Sequence, residues 1–120
     1  MPEQTPNTPS PQDVEKMLRD YQTVQEQIRV YSMQIDQLQV QSNELDTAKE
    51  EIEKSTGKVY VTVGGVIVET NKETALKNIS EKKETGSVRM QSTSKQLTDL
   101  KAKEKKLRED ITQISSKMQQ

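Results

Sequence analysis

The sequence predicts a mainly α-helical fold: an antiparallel two-helix coiled coil joined by a β-hairpin. Three observations predict it. Apolar residues recur every three and four positions on both sides of the chain's middle. Strict apolar alternation occurs only in Val59-Tyr60-Val61-Thr62-Val63-Gly64-Gly65-Val66-Ile67-Val68, where a Gly-Gly pair sits at the centre. The charge is split: residues 1–57 carry 5 Lys/Arg against 11 Asp/Glu, and residues 58–120 carry 13 against 8, so an acidic and a basic half are placed to meet.

Residues 1–10 hold Pro2, Pro6 and Pro9 among small polar residues and read as a flexible tail. Ser10 is placed to cap a helix, Pro11 suits its first position, and Asp13 favours the positive end of its dipole. Residues 11–56 form helix one. Its seam is Val14, Tyr21, Ile28, Ile35, Ser42 and Lys49 on one set of positions, and Met17, Val24, Tyr31, Leu38, Leu45 and Ile52 on the other. Ten of the twelve are apolar, which separates this segment from a disordered polar tract. Gly57 is placed to end the helix in the left-handed conformation.

Residues 57–70 form the hairpin. A two-residue turn at Gly64-Gly65 puts Val59, Val61, Val63, Val66 and Val68 on one face, and Tyr60, Thr62, Ile67 and Glu69 on the other. Thr70-Asn71-Lys72-Glu73 resembles a capping box that opens helix two, residues 71–120. The second seam is Leu76, Lys83, Met90, Leu97, Glu104, Ile111 and Met118, with Ile79, Gly86, Thr93, Leu100, Leu107 and Ile114. Folding the chain at the hairpin sets Val14 against Ile114, Tyr21 against Leu107, Ile28 against Leu100 and Ser42 against Gly86. Val24 against Glu104 and Leu45 against Lys83 are the poorer matches.

Composition excludes several classes. With 29% hydrophobic residues, well under the roughly 45–50% of globular domains, the chain has no sizeable single core. Cys and His are absent, so the usual metal and nucleophile constellations cannot be built, and no glycine-rich phosphate loop is present. The reading is a non-enzymatic protein without cofactor or metal. The lack of Cys, of a membrane-length apolar run and of a signal segment points to a cytoplasmic setting and no membrane. The basic run Lys101-Ala102-Lys103-Glu104-Lys105-Lys106-Leu107-Arg108 reads as a solvated helix face and not a nucleic-acid site, since no aromatic residues interleave for base stacking.

A lone two-stranded hairpin is marginal in water, and this one has a valine face and two open edges. The economical solution is that hairpins of several chains join into a shared sheet or barrel, the oligomerisation element being Val59, Tyr60, Val61, Val63, Gly64, Gly65, Val66, Ile67 and Val68. At the opposite end lie Val14, Met17, Leu18, Tyr21, Leu107, Ile111, Ile114 and Met118. Two helices cannot cover every apolar side chain there, and methionine adapts to irregular surfaces.

The segment Gly57-Lys58-Val59-Tyr60-Val61-Thr62-Val63-Gly64-Gly65-Val66-Ile67-Val68-Glu69-Thr70 resembles the hairpin of β-class prefoldin subunits. Asn71-Lys72-Glu73, Glu81-Lys82-Lys83-Glu84-Thr85 and Lys105-Lys106-Leu107-Arg108-Glu109 also fit. The last two lean toward archaeal members, with eukaryotic β-type subunits as the alternative. The likeness spans about residues 11–118, and a single hairpin suits the β class because the α class carries two. The resemblance implies an ATP-independent holdase in a hexamer of two α-class and four β-class subunits, whose hairpins assemble into a β-barrel platform. It implies that coiled-coil tips bind non-native client proteins and that these pass to a group II chaperonin. Carried onto this chain, the eight apolar residues at the helix ends named above become the client-binding tip. The competing reading is a structural coiled-coil adaptor that docks one fixed partner through its hairpin.

Overall fold

A computed structural model describes residues 10–118. The element order is α1 (Pro11–Lys54), β1 (Val59–Val63), β2 (Val66–Thr70) and α2 (Lys72–Met118). The chain divides into two compact units, Met1–Met33 with Ser94–Gln120, and Gln34–Thr93. The residues assigned above to a tail fall outside the described residues, apart from Ser10.

The start of α1 follows from three residues. The Asp13 amide donates to Ser10 Oγ at 3.2 Å, and the Ser10 amide donates back to Asp13 Oδ2 at 3.2 Å. This reciprocal pair satisfies two amide donors at a helix end that has no intrahelical partners for them. Pro11 follows the cap, where its missing N–H removes nothing.

The end of α1 corrects the expectation for Gly57. The helix stops at Lys54, not at residue 56, and Gly57 has no positive φ. The Ser55 amide closes the last turn on the Ile52 carbonyl at 3.1 Å. Lys72 Nζ donates to the Glu53 carbonyl at 2.6 Å. A cation from the first residue of α2 thus satisfies a free carbonyl at the negative end of α1.

The strands pair antiparallel with Val59 opposite Thr70, Val61 opposite Val68 and Val63 opposite Val66. Gly64 (φ 55°) and Gly65 (φ 82°) form the two-residue link, and two positive φ values are what a type I′ turn requires. Paired residues share a face, so Val59, Val61, Val63, Val66 and Val68 line one side, and Tyr60, Thr62, Ile67 and Glu69 the other. Lys58 and Glu69 form an exposed ion pair at 3.6 Å.

The cap of α2 is also corrected. Thr70 is the last strand residue, and Asn71 is the cap: the Thr74 amide donates to Asn71 Oδ1 at 2.7 Å, and the Ala75 amide to the Asn71 carbonyl at 3.0 Å. Asn71 therefore does what the Thr70–Glu73 box was expected to do.

Burial follows the heptads. Every described seam position of α2 from Leu76 to Ile114 is at least half-buried, and so is every seam position of α1 except Lys49. Between Leu45 and Ile52 the half-buried position is Ala48, and Lys49 stays exposed beside Glu53 at 4.0 Å. Lys83 keeps its seam position by sending its ammonium out to Asp46. The fully buried residues are few: Val24, with 1% of its surface exposed, and then Val59, Ala75 and Ile79 at the junction of the hairpin with α2. Among the described residues there is no large core; each unit is built on a two-helix coiled coil whose seam is its interior.

Candidate functional site: the hairpin and the helix ends

The hairpin belongs to the unit Gln34–Thr93. Burial fades along it. Val59 at its base is buried and Val61 half-buried, while Val63 and Val66 beside the turn are each 61% exposed. Val68 and Tyr60 are exposed, and Ile67 is 71% exposed. The sheet has two strands, so each strand keeps an outer edge of unpaired amide and carbonyl groups. Both faces are apolar at the tip, and five of the nine residues assigned to the oligomerisation element are large exposed apolar side chains. Such a ribbon can donate strands and apolar faces to partners, and it carries no chemistry.

The other unit brings the helix ends together. Val14, Met17, Tyr21, Leu107, Ile111 and Ile114 are all half-buried, so they face the seam without being closed in it. Leu18, off the seam, is 44% exposed. The side chain of Met118 lies outside the described residues.

One polar contact sits among these apolar residues. The Tyr21 hydroxyl donates to Glu104 Oε1 at 3.0 Å, and Arg108 Nη1 approaches the same oxygen at 3.7 Å. The Glu104 side chain is only 18% exposed. Accepting the phenolic proton, the carboxylate holds the Tyr21 pKa above its ordinary value. Sequence reasoning set Tyr21 against Leu107 and Glu104 against Val24; the hydroxyl instead reaches one helical turn further, to Glu104. The signal was available, since a tyrosine in a seam needs an acceptor for its hydroxyl and the basic run contains a single carboxylate. On the solvated face of α1, Arg29 pairs with Glu26 and holds that carboxyl below its ordinary value.

A groove next to the hairpin was not expected. Leu38, Leu45, Ala48 and Gly86 line it together with Thr62 of β1, and its charged residues balance, Lys82 and Arg89 against Glu44 and Glu81. Among the described residues, no group of His, Cys, Asp or Glu could hold a metal ion, and no helix is long and apolar enough to cross a membrane.

Residues 15–118 match the family described as Prefoldin subunit. The chain is 37% identical over 111 residues to the prefoldin subunit beta of Pyrococcus furiosus, covering 91% of this chain and 89% of that protein. It is 34% identical over 105 residues to the prefoldin subunit beta of Methanosarcina mazei, covering 86% of this chain and 90% of the relative. The crystal structure of the prefoldin beta subunit from Thermococcus strain KS-1 superposes with a TM-score of 0.77 at 34% identity, over 91% of this chain and 96% of that one.

Proposed function

The chain belongs to the prefoldin family as a β-class chaperone subunit, and on that premise we propose that it is an ATP-independent holdase subunit of a hexamer with two α-class and four β-class chains. Family members are non-enzymatic and assemble with other prefoldin subunits. The observation that carries the proposal is the hairpin, with apolar side chains on both faces and both edges open. Residues Val59 to Val68 take the platform contacts, because strand addition supplies the missing edge hydrogen bonds and buries the valine face. Non-native proteins bind at Val14, Met17, Leu18, Tyr21, Leu107, Ile111, Ile114 and Met118. Half-buried apolar residues give weak, adaptable contacts, and several tips acting on one client combine them by effective concentration. Clients then pass to a group II chaperonin in the cytoplasm, and handover needs no nucleotide site on this chain.

The first test is the native mass of the complex this chain forms in its host. A six-chain assembly containing a second, related subunit supports the proposal. A complex with one unrelated protein would favour the adaptor reading. Val61→Asp with Val66→Asp should break the assembly, and a surviving hexamer would refute the platform assignment. Removing residues 1–21 and 107–120 should abolish suppression of client aggregation while the assembly persists; unchanged suppression would refute the tip.

A further inference from the structure

We propose that the Tyr21–Glu104 hydrogen bond is a clasp that limits how far the helix ends can part. It divides a tip that opens to clients from an arm that stays paired. Tyr21 is then a positioning residue and not part of the client-contact surface. The inference rests on the tip reading above and revises one residue of it.

Four observations carry it. First, the bond is the sole interhelix hydrogen bond of its unit among the described residues; the ion pairs there run within one helix. Second, it lies in the seam, with Glu104 Oε1 shared between the Tyr21 hydroxyl and Arg108 and its side chain mostly covered. A partly shielded hydrogen bond to a charged acceptor is stronger than an exposed one, and parting the helices breaks it, leaving the carboxylate with Arg108 of its own helix alone. Third, Val24, one turn inward on α1, is the most buried side chain of the chain's coiled coil, level with Ala75 at 1% exposed. Fourth, the described seam positions outward of the clasp are apolar and half-buried: Val14, Met17, Leu107, Ile111 and Ile114. Apolar contacts alone are non-directional and exchange readily for a client's apolar surface. A directional bond does not, since a client segment seldom brings a hydroxyl to that carboxylate. Opening therefore proceeds from the end inward and stops at Tyr21.

The test is peptide-resolved hydrogen exchange on the assembled complex, with client capture measured in parallel. In the parent, amides of residues 11–20 and 108–117 should exchange fast and those of residues 24–31 and 97–103 slowly. Tyr21→Phe keeps the ring and removes the hydroxyl; protection of the inner segments should fall about tenfold, the loss of one hydrogen bond to a charged group. Glu104→Gln keeps an acceptor and should retain most of the protection; a purely steric role for Tyr21 would instead leave Tyr21→Phe as protected as the parent. Tyr21→Phe with Glu104→Leu makes the seam apolar and should restore inner protection through packing. Unchanged protection in Tyr21→Phe overturns the clasp. So does lost client capture with unchanged exchange, because Tyr21 is then a contact. If the parent complex captures no client, the holdase proposal fails while the exchange data still decide on the clasp.

Discussion

Replacing Gly86 with alanine should stabilise the isolated chain. Gly86 lies inside α2, its φ is not positive, and a Cβ built on it meets no heavy atom within 4 Å. Alanine therefore adds no clash, and it removes the extra backbone entropy that glycine loses on entering a helix. That difference is about 1 kcal/mol. For a chain of 120 residues it corresponds to a rise in Tm of roughly 4 °C. Thermal unfolding followed by circular dichroism at 222 nm reads the shift directly. The same variant measured in the assembled complex adds a second arm. A gain in the isolated chain with a loss in the complex would mean that another subunit fills the space above Gly86, in the groove floored by Leu38 and Leu45. A lower Tm in the isolated chain would refute the reasoning, since no intrachain contact could then account for glycine at this position.

Three further outcomes are expected. Asn71→Ala removes the acceptor of the Thr74 amide and should cost about 1 kcal/mol, read as a lower denaturant midpoint, whereas Thr70→Ala should leave α2 intact. Gly65→Val forces a β-branched residue to φ 82° and should destabilise the hairpin by at least about 1–2 kcal/mol, read as loss of assembly at dilute concentration. Tyr21 binds its proton more tightly when folded, so its contribution is complete below the ordinary tyrosine pKa of 10.0 and is lost as pH rises through the higher folded value. Absorbance at 295 nm should show a late-titrating phenol that Tyr21→Phe removes; a late step that persists in the variant would refute the assignment.

Much of the fold could be read because its determinants repeat. Heptad spacing repeats over many turns, so a single deviation such as Lys49 does not hide the seam. Gly64-Gly65 admits few backbone solutions other than a tight hairpin turn, and that turn fixes which valines share a face. The misses came where one local choice had to be made among near-equivalent residues. Thr70 and Asn71 can both cap a helix; the strand claimed Thr70 by pairing it with Val59, which left Asn71. Gly57 lost its capping role because a lysine eighteen residues beyond the helix end reached back to the Glu53 carbonyl. Interhelix polar contacts were missed for a related reason. Long side chains reach along the partner helix, so Tyr21 met Glu104 about a turn away and Lys83 met Asp46 one residue on, not the residues directly opposite. The hairpin site was legible as a surplus of apolar residues with no cover in the chain. The helix ends were not legible in the same way, because apolar seam positions look alike whether they only pack or also bind.

The open hairpin has a consequence for the life of the chain before it meets its partners. Freshly made, it displays Val63, Val66 and Ile67 on a ribbon with two free edges. Such a surface is of the kind by which unfinished proteins stick to one another. A subunit of a chaperone thus begins as a candidate for chaperoning, and copies made in excess of their partners have nowhere to hide that ribbon. With the hairpin as the assembly surface proposed above, balanced synthesis of the subunits, or rapid removal of surplus chains, follows from the turn between two glycines.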